Sequence, residues 1–471
     1  MRVLKCLPKT AARAVFFGRE YMQRCVTISV LIAACGCAAP AQTFTTLFSF
    51  DGLDGALPGY GSLVQGLNGD LYGTTVEGGS SGYGTVFSLS PQGVHKRLYS
   101  FATDGAYPWA GLVIAPNGLF YGTTSSDTGT GGGTVFKMTP SGTLTTMYTF
   151  NPSGVAYPMA TLVEGFDGML WGTTDQDYGA IFRISPKGAL TTVYTLSGGA
   201  GGQSPNGLVQ ARNGILYGTT AVGGTGGYGT IFSITASGIF QVIHSFTDAD
   251  GASPVSGLTE GSDGLFYGTA YEGGNCAASI DGCGTVFSVT ASGSLTVLHA
   301  FDETDGWGPE GTLVQGTDGN FYGTTAFGGM YGYGTIFQIT PGGALTTLHN
   351  FDSTDGCNAH SGLVQATDGS FYGTTYGCGK YGDGTIYNLS MGLGPFIKTI
   401  NTFGKPGAAV AIAGTDLTGA TSVTFNGTAA SFTVVSATEI ETTVPAGATS
   451  GTVVVVLPGE TLSSIEPFQV L

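Results

Sequence analysis

The sequence predicts an all-β fold: a seven-bladed β-propeller whose N-terminal strand closes the last blade, followed by a smaller β domain. Two observations predict the propeller. One short phrase recurs seven times, as LYGTT at 71, FYGTT at 120, LWGTT at 170, LYGTT at 216, FYGTA at 266 and FYGTT at 321 and 371. The composition suits short strands joined by glycine turns, with 42% hydrophobic residues, 10% charged residues and 82 glycines. A third observation, a change of texture after residue 392, predicts the second domain.

In chain order, residues 1–41 read as an export signal. From Met22, Arg24 supplies the positive end, VTISVLIAACGCA the apolar stretch, and APA precedes Gln42. The basic preface over 1–21 makes Met22 an alternative start. A second reading takes IAAC as a lipoprotein box with Cys35 lipidated, the one tie to a membrane that the sequence offers. Both readings export the chain, to an extracellular, periplasmic or cell-surface location. Six of the 15 basic residues and one of the 31 acidic ones lie in this segment, leaving 9 against 30 and a net charge of −21. Such a surface repels phosphate backbones and excludes nucleic acid as a partner.

Residues 42–392 hold the repeats. In the sixth, GTLVQG, NFYGTT, GTIFQIT and ALTTLHNF read as four strands, with TDG and PGG as hairpin turns. Neither face of these strands is polar, so each sheet must be covered on both sides. The mid-strand glycine of YGTT makes room for a close neighbour, for which an aromatic ring of the adjacent sheet is the simplest candidate. The run FTTLFSF at 44–50 precedes any complete unit, while the seventh unit ends at GTIYNLS without such a run. Pairing these two ends closes a ring. An open stack, such as a parallel β-solenoid, gains nothing from that offset.

Four cysteines remain after the leader: Cys276, Cys283, Cys357 and Cys378. The first two share one insertion, and the second two join a unit junction to the following long loop. Disulfides Cys276–Cys283 and Cys357–Cys378 are therefore expected. Zinc would need CxxC-type spacing, which is absent.

These YGTT…GG…GYGTVF…DG units resemble the GloVer-type (choice-of-anchor) tandem repeats of exported bacterial proteins. That resemblance implies export and a repeat architecture, and no known reaction. Residues 393–471, with AIAGTDLTGATSVTFNG, ATEIETTVP and GATSGTVVV in order, resemble the IPT/TIG domain, which implies an immunoglobulin-like β-sandwich. Lys398 and Lys405 are its only basic residues against five acids, so the DNA-binding role of some relatives does not transfer.

Antiparallel strands put the YGTT-following loops and the unit junctions on one face. That face is expected to gather Tyr107, Trp109, Tyr157, Trp307, Phe327, Tyr331 and Tyr376 beside Asp302, Asp305 and Asp355. Rings beside carboxylates suit sugars, whose C–H faces stack while their hydroxyls are hydrogen-bonded. The expected function is a binding or adhesion scaffold for a polysaccharide or a surface protein. The alternative is a carbohydrate-active enzyme using acids on the same face. DETDG at 302, DSTDG at 352 and DADG at 248 read first as turns and second as calcium ligands. No catalytic residue, metal site or other cofactor is assigned. His244, His299 and His349 fill the slot of Tyr99, Tyr148 and Tyr194, so they read as structural. GGTGGYGT at 223 lacks the Lys-Ser/Thr and the helix of a phosphate loop.

Overall fold

The computed structural model describes residues 42–126, 131–274, 276 and 281–471. The expected export signal, the Met22 start and Cys35 lie outside these residues. The described regular structure is strand throughout, apart from one 3-10 turn at Gly199–Gly201. No helix among the described residues is long and apolar enough to cross a membrane.

The repeats form seven antiparallel sheets, or blades. The sixth runs from the inner pair Val314–Gln315 through Phe321–Thr325 and Thr335–Ile339 to Leu345–Asn350. The last repeat supplies only Val364–Gln365, Phe371–Thr375 and Thr385–Ser390. Its fourth strand is Thr43–Ser49, paired antiparallel from Thr43↔Ser390 to Ser49↔Thr385.

The repeated phrase is a packing device, letter by letter. Its tyrosine meets the leading phenylalanine of the next repeat: Tyr72 lies 4.2 Å from Phe120, Tyr267 3.8 Å from Phe321 and Tyr322 4.0 Å from Phe371. The tyrosine hydroxyls donate to the DG turn four residues back, Tyr322 to Asp318 at 2.9 Å and Tyr267 to Asp263 at 2.8 Å. A Cβ on Gly73 would stand 2.6 Å from both Phe87 Cζ and Leu63 Cδ2. The ring that demands this glycine is thus the cross-strand partner in the same sheet, since Gly73 pairs with Phe87. It does not come from a neighbouring sheet, because the adjacent sheets meet through the flanking Phe and Tyr. The last threonine bonds its counterpart across the sheet, as in Thr325–Thr335 at 2.9 Å.

One backbone bond recurs between successive repeats. The N–H of Tyr107 donates to Tyr83 O, Tyr157 to Gly132, Ser204 to Tyr178, Ser253 to Tyr228, Gly308 to Cys283 and Asn358 to Tyr333. The same bond runs from Leu57 N–H in the first repeat to Asp383 O in the last, at 2.9 Å. All seven donors have φ between 52° and 64°. For the six non-glycine residues this region costs about 1 kcal/mol each. The inter-repeat bond and the packing behind it hold them there.

Residues 398–470 form a second body built on two antiparallel four-stranded sheets, packed around Ile412, Val423, Phe425, Ile440 and Val455. It rests on the DG-turn side of the inner strands. Phe403 lies 4.7 Å from Phe166, and the Thr415 and Thr367 hydroxyls are 2.9 Å apart. Both expected disulfides, Cys276–Cys283 and Cys357–Cys378, are present. They suggest an oxidising compartment.

Candidate functional site

Each inner strand carries a buried or nearly buried leucine: Leu63, Leu112, Leu162, Leu208, Leu258, Leu313 and Leu363. Three residues before it the chain has just left the left-handed residue described above, except in the first and fourth repeats, which differ by one residue in length. That position holds Tyr60, Trp109, Met159, Pro205, Val255, Glu310 and His360. One slot on an otherwise repeated frame thus carries seven unlike side chains. A cavity of about 360 Å³ opens at this slot, lined by Tyr60, Trp109, Met159, Pro205, Val255 and Glu310 among others. Successive repeats place them around it.

The rings meet there. Tyr60 lies 5.5 Å from Trp109, 4.8 Å from the His360 imidazole and 6.4 Å from Tyr376. Tyr271 reaches the same place by lying over Gly308, where a Cβ would stand 2.7 Å from its Cε2. His360 Nδ1 is 2.8 Å from Glu310 Oε2, and both side chains are almost wholly buried. This bond orients the imidazole and leaves its other nitrogen, Nε2, without that partner. Burial pushes the Tyr60 phenol well up, with further contributions from Glu310, Tyr376 and Tyr271. Tyr60 is 43% exposed and Met159 44%, so the cavity is open to solvent on this side.

Of the residues expected from sequence, Trp109 and Tyr376 belong to this cluster, and Phe327 reaches it edge-on to His360 at 6.4 Å. Tyr107 and Tyr157 are half-buried in the left-handed corners, Tyr107 edge-on to Tyr83 and Tyr157 against the core of the third blade. Trp307 packs against the core around Cys276 and Cys283, 5.7 Å from Phe327. Tyr331 is exposed at a loop tip. The acids serve turns. Asp302 accepts from the Thr304 N–H and hydroxyl, and Asp305 accepts from the Asp302 N–H. Asp305 also holds His299 at 2.7 Å, as Asp355 holds His349 at 2.8 Å and Asp250 holds His244 at 3.2 Å. These imidazoles sit on outer strands, in the slot where Tyr99 bonds Asp104. Among the described residues no group of three or more His, Cys, Asp or Glu side chains is placed to hold a metal ion.

The residues missed from sequence are Tyr60, Met159, Tyr271, Glu310 and His360. Aligning the repeats on the inner-strand leucine exposes all of them except Tyr271, which follows YGTA.

The other end of the inner strands is built from like residues. Gln365 accepts the Thr317 N–H, Gln315 the Ser262 N–H, Glu260 the Arg212 N–H and Gln65 the Thr367 N–H. The relay breaks at the second repeat, where Ile114 fills the acceptor position, and again at the third. The acceptor there is Glu164, and the donor position in the second repeat is Pro116, which has no N–H. Burial pushes Glu164 up to about 7. Beyond the relay, a second cavity of about 370 Å³ is covered by the C-terminal body through Lys398, Ile400 and Glu466. Lys398 donates to Gln365 O, and burial lowers it to about 8. Arg212 stands 3.7 Å from Glu260.

The extracellular domain of a hybrid two-component system of B. thetaiotaomicron has a similar structure, with a TM-score of 0.50 at 12% identity over 74% of this chain. The match covers 39% of that protein, so this chain spans about two fifths of its length. A fungal alcohol oxidase solved with copper gives a TM-score of 0.53 at 11% identity, over 91% of this chain and 98% of that one. These neighbours are propeller proteins, and at such identity they speak for the fold alone. No curated protein sequence matches the chain. The model of the Gloeobacter/Verrucomicrobia repeat matches residues 37–178, 116–280 and 204–435. The chain belongs to the Gloeobacter/Verrucomicrobia repeat family.

Proposed function

We propose that the protein is an exported scaffold: a closed seven-bladed propeller that binds the end of a glycan in the open cavity, with an immunoglobulin-like module as its spacer. The observation carrying this reading is the slot of seven unlike residues, six of which line one cavity. The inner-strand leucine three residues on and the YGTT strand change little from repeat to repeat, whereas this slot holds a different residue in each. The pairing of Thr43–Ser49 with Thr385–Ser390, and the bond from Leu57 to Asp383, favour closure. Rings at Tyr60, Trp109 and Tyr376 supply stacking surface, and each good stack contributes on the order of 1 kcal/mol. Affinity for one sugar end is then modest, and several copies on a surface would raise it by avidity. A glycan array with the full chain and with Trp109→Ala tests the reading. Retained binding by a normally folded Trp109→Ala protein, or no binding to any glycan, overturns it.

A second reading has one observation in its favour. The Glu310–His360 pair has the geometry of an oriented general base, as a glycan-processing enzyme would require. Reducing-sugar release lost in His360→Gln, with glycan binding kept, would establish it.

A further inference from the structure

The two cavities treat their carboxylates differently. In the covered cavity, Glu260 has Arg212 at 3.7 Å, and at Glu466, whose carboxyl desolvation pushes up, the charges of Lys398 and Arg212 offset part of that rise. In the open cavity, no lysine or arginine is among the described lining residues, and Glu310 has only the His360 imidazole. A carboxylate in that setting keeps acceptor capacity on its second oxygen. Tyr60 and Tyr271 stand near enough to feel its charge, and Trp109 and Tyr376 lie against Tyr60, tilted by 43° and 49° to its ring. Tilted rings beside a buried carboxylate make a concave surface of negative potential, the arrangement that takes up an ammonium group.

We propose that the open cavity is a cation cage, and that its ligand carries an ammonium group within reach of Glu310. Resting on the glycan reading, the ligand class is a polysaccharide end with a free amine, an unacetylated amino sugar. The chemistry is non-covalent. The ammonium donates to the Glu310 carboxylate, the rings cover its C–H faces, and the net charge of −16 draws the cation in.

Titration calorimetry on the full chain, at neutral pH and low salt, separates this from the parent reading. Three probes are used: a tetramer of glucosamine, the matching N-acetylglucosamine tetramer, and cellotetraose. Tetramethylammonium is the competitor. The expected result is about tenfold tighter binding of the free-amine tetramer than of either neutral one, with displacement by tetramethylammonium. Glu310→Gln, which keeps the side-chain shape, should erase that preference, and Trp109→Leu should weaken all binding. Thermal melting of each variant checks its fold, and Tyr60→Leu serves if Trp109→Leu does not fold. Equal binding of the three tetramers would overturn the cation cage and leave the glycan reading standing. Binding of tetramethylammonium that depends on Glu310, without binding of any tetramer, would uphold the cage and overturn the glycan reading. No binding of any probe would overturn both.

Discussion

The two ends of the inner strands differ in residue variety, and on the proposed reading that difference separates stability from recognition. At the DG-turn end, Gln65, Gln210, Glu260, Gln315 and Gln365 each accept a backbone N–H from the preceding blade, and the C-terminal body covers them. At the open end, Tyr60, Trp109, Met159, Val255, Glu310 and His360 share one slot and almost no chemistry. A position whose task is to join like blades repeats its residue. A position that faces a ligand is free to differ, because no neighbouring blade constrains it in the same way.

Four predictions break or sharpen that contrast. The largest effect should come from the frame itself. Deleting 42–50 removes the outer strand of the last blade and with it the fully buried Phe50. Phe44 and Phe48 go as well, so a loss on the order of 5 kcal/mol or more is expected, with aggregation through the bared edge. Thermal melting and gel filtration measure both, and an unchanged monomer would overturn the proposed closure of the propeller.

Second, Cys357→Ser with Cys378→Ser opens a link spanning 21 residues. The chain-entropy model gives a loss of about 3 kcal/mol, read by denaturant unfolding. Loss of glycan binding with unchanged stability would assign the loop to recognition instead.

Third, Glu164 should make stability depend on pH. Its folded pKa is raised from 4.5 to about 7, so its favourable contribution is whole below about pH 4.5 and lost as pH rises through 7. Glu164→Gln should therefore melt above the parent at pH 8, by up to about 3 kcal/mol, and match it near pH 4. Pro116→Ala, which returns the missing N–H, should shrink that difference. Parallel pH–stability curves for parent and Glu164→Gln would refute the assignment.

The smallest effect compares the two ends directly. Gln315→Ala and Gln365→Ala each remove the acceptor of a backbone N–H from the preceding blade, at Ser262 and Thr317, and should cost about 1 kcal/mol. Met159→Ala and Val255→Ala at the open slot should stay within about 0.5 kcal/mol. Chemical denaturation of the four variants decides, and equal losses would erase the distinction between the ends.

Much of this molecule is legible in its sequence. The blade period, the hairpin turns, the strand offset at 44–50 and both cysteine pairs follow from residue order, because each is a local or repeating constraint. The aromatic face was legible only in part. Trp109 and Trp307 both sit on loops of that face, yet Trp109 lines the cavity and Trp307 packs against the core near Cys283. Asp302, Asp305 and Asp355 share the face too, but hairpin geometry commits them to turns and to imidazoles six residues upstream or nearer.

The sequence by itself determined the blade: Phe and Tyr for the neighbour, Gly for the cross-strand ring, Thr for its counterpart, at a spacing that any copy must keep. Tertiary structure alone decided the site. Tyr60 and His360 are 300 positions apart, and their rings come within 4.8 Å only because the first and last repeats are neighbours. Glu310 meets His360 for the same reason one repeat earlier. Hydrogen bonds between blades set that convergence, and no single repeat contains it.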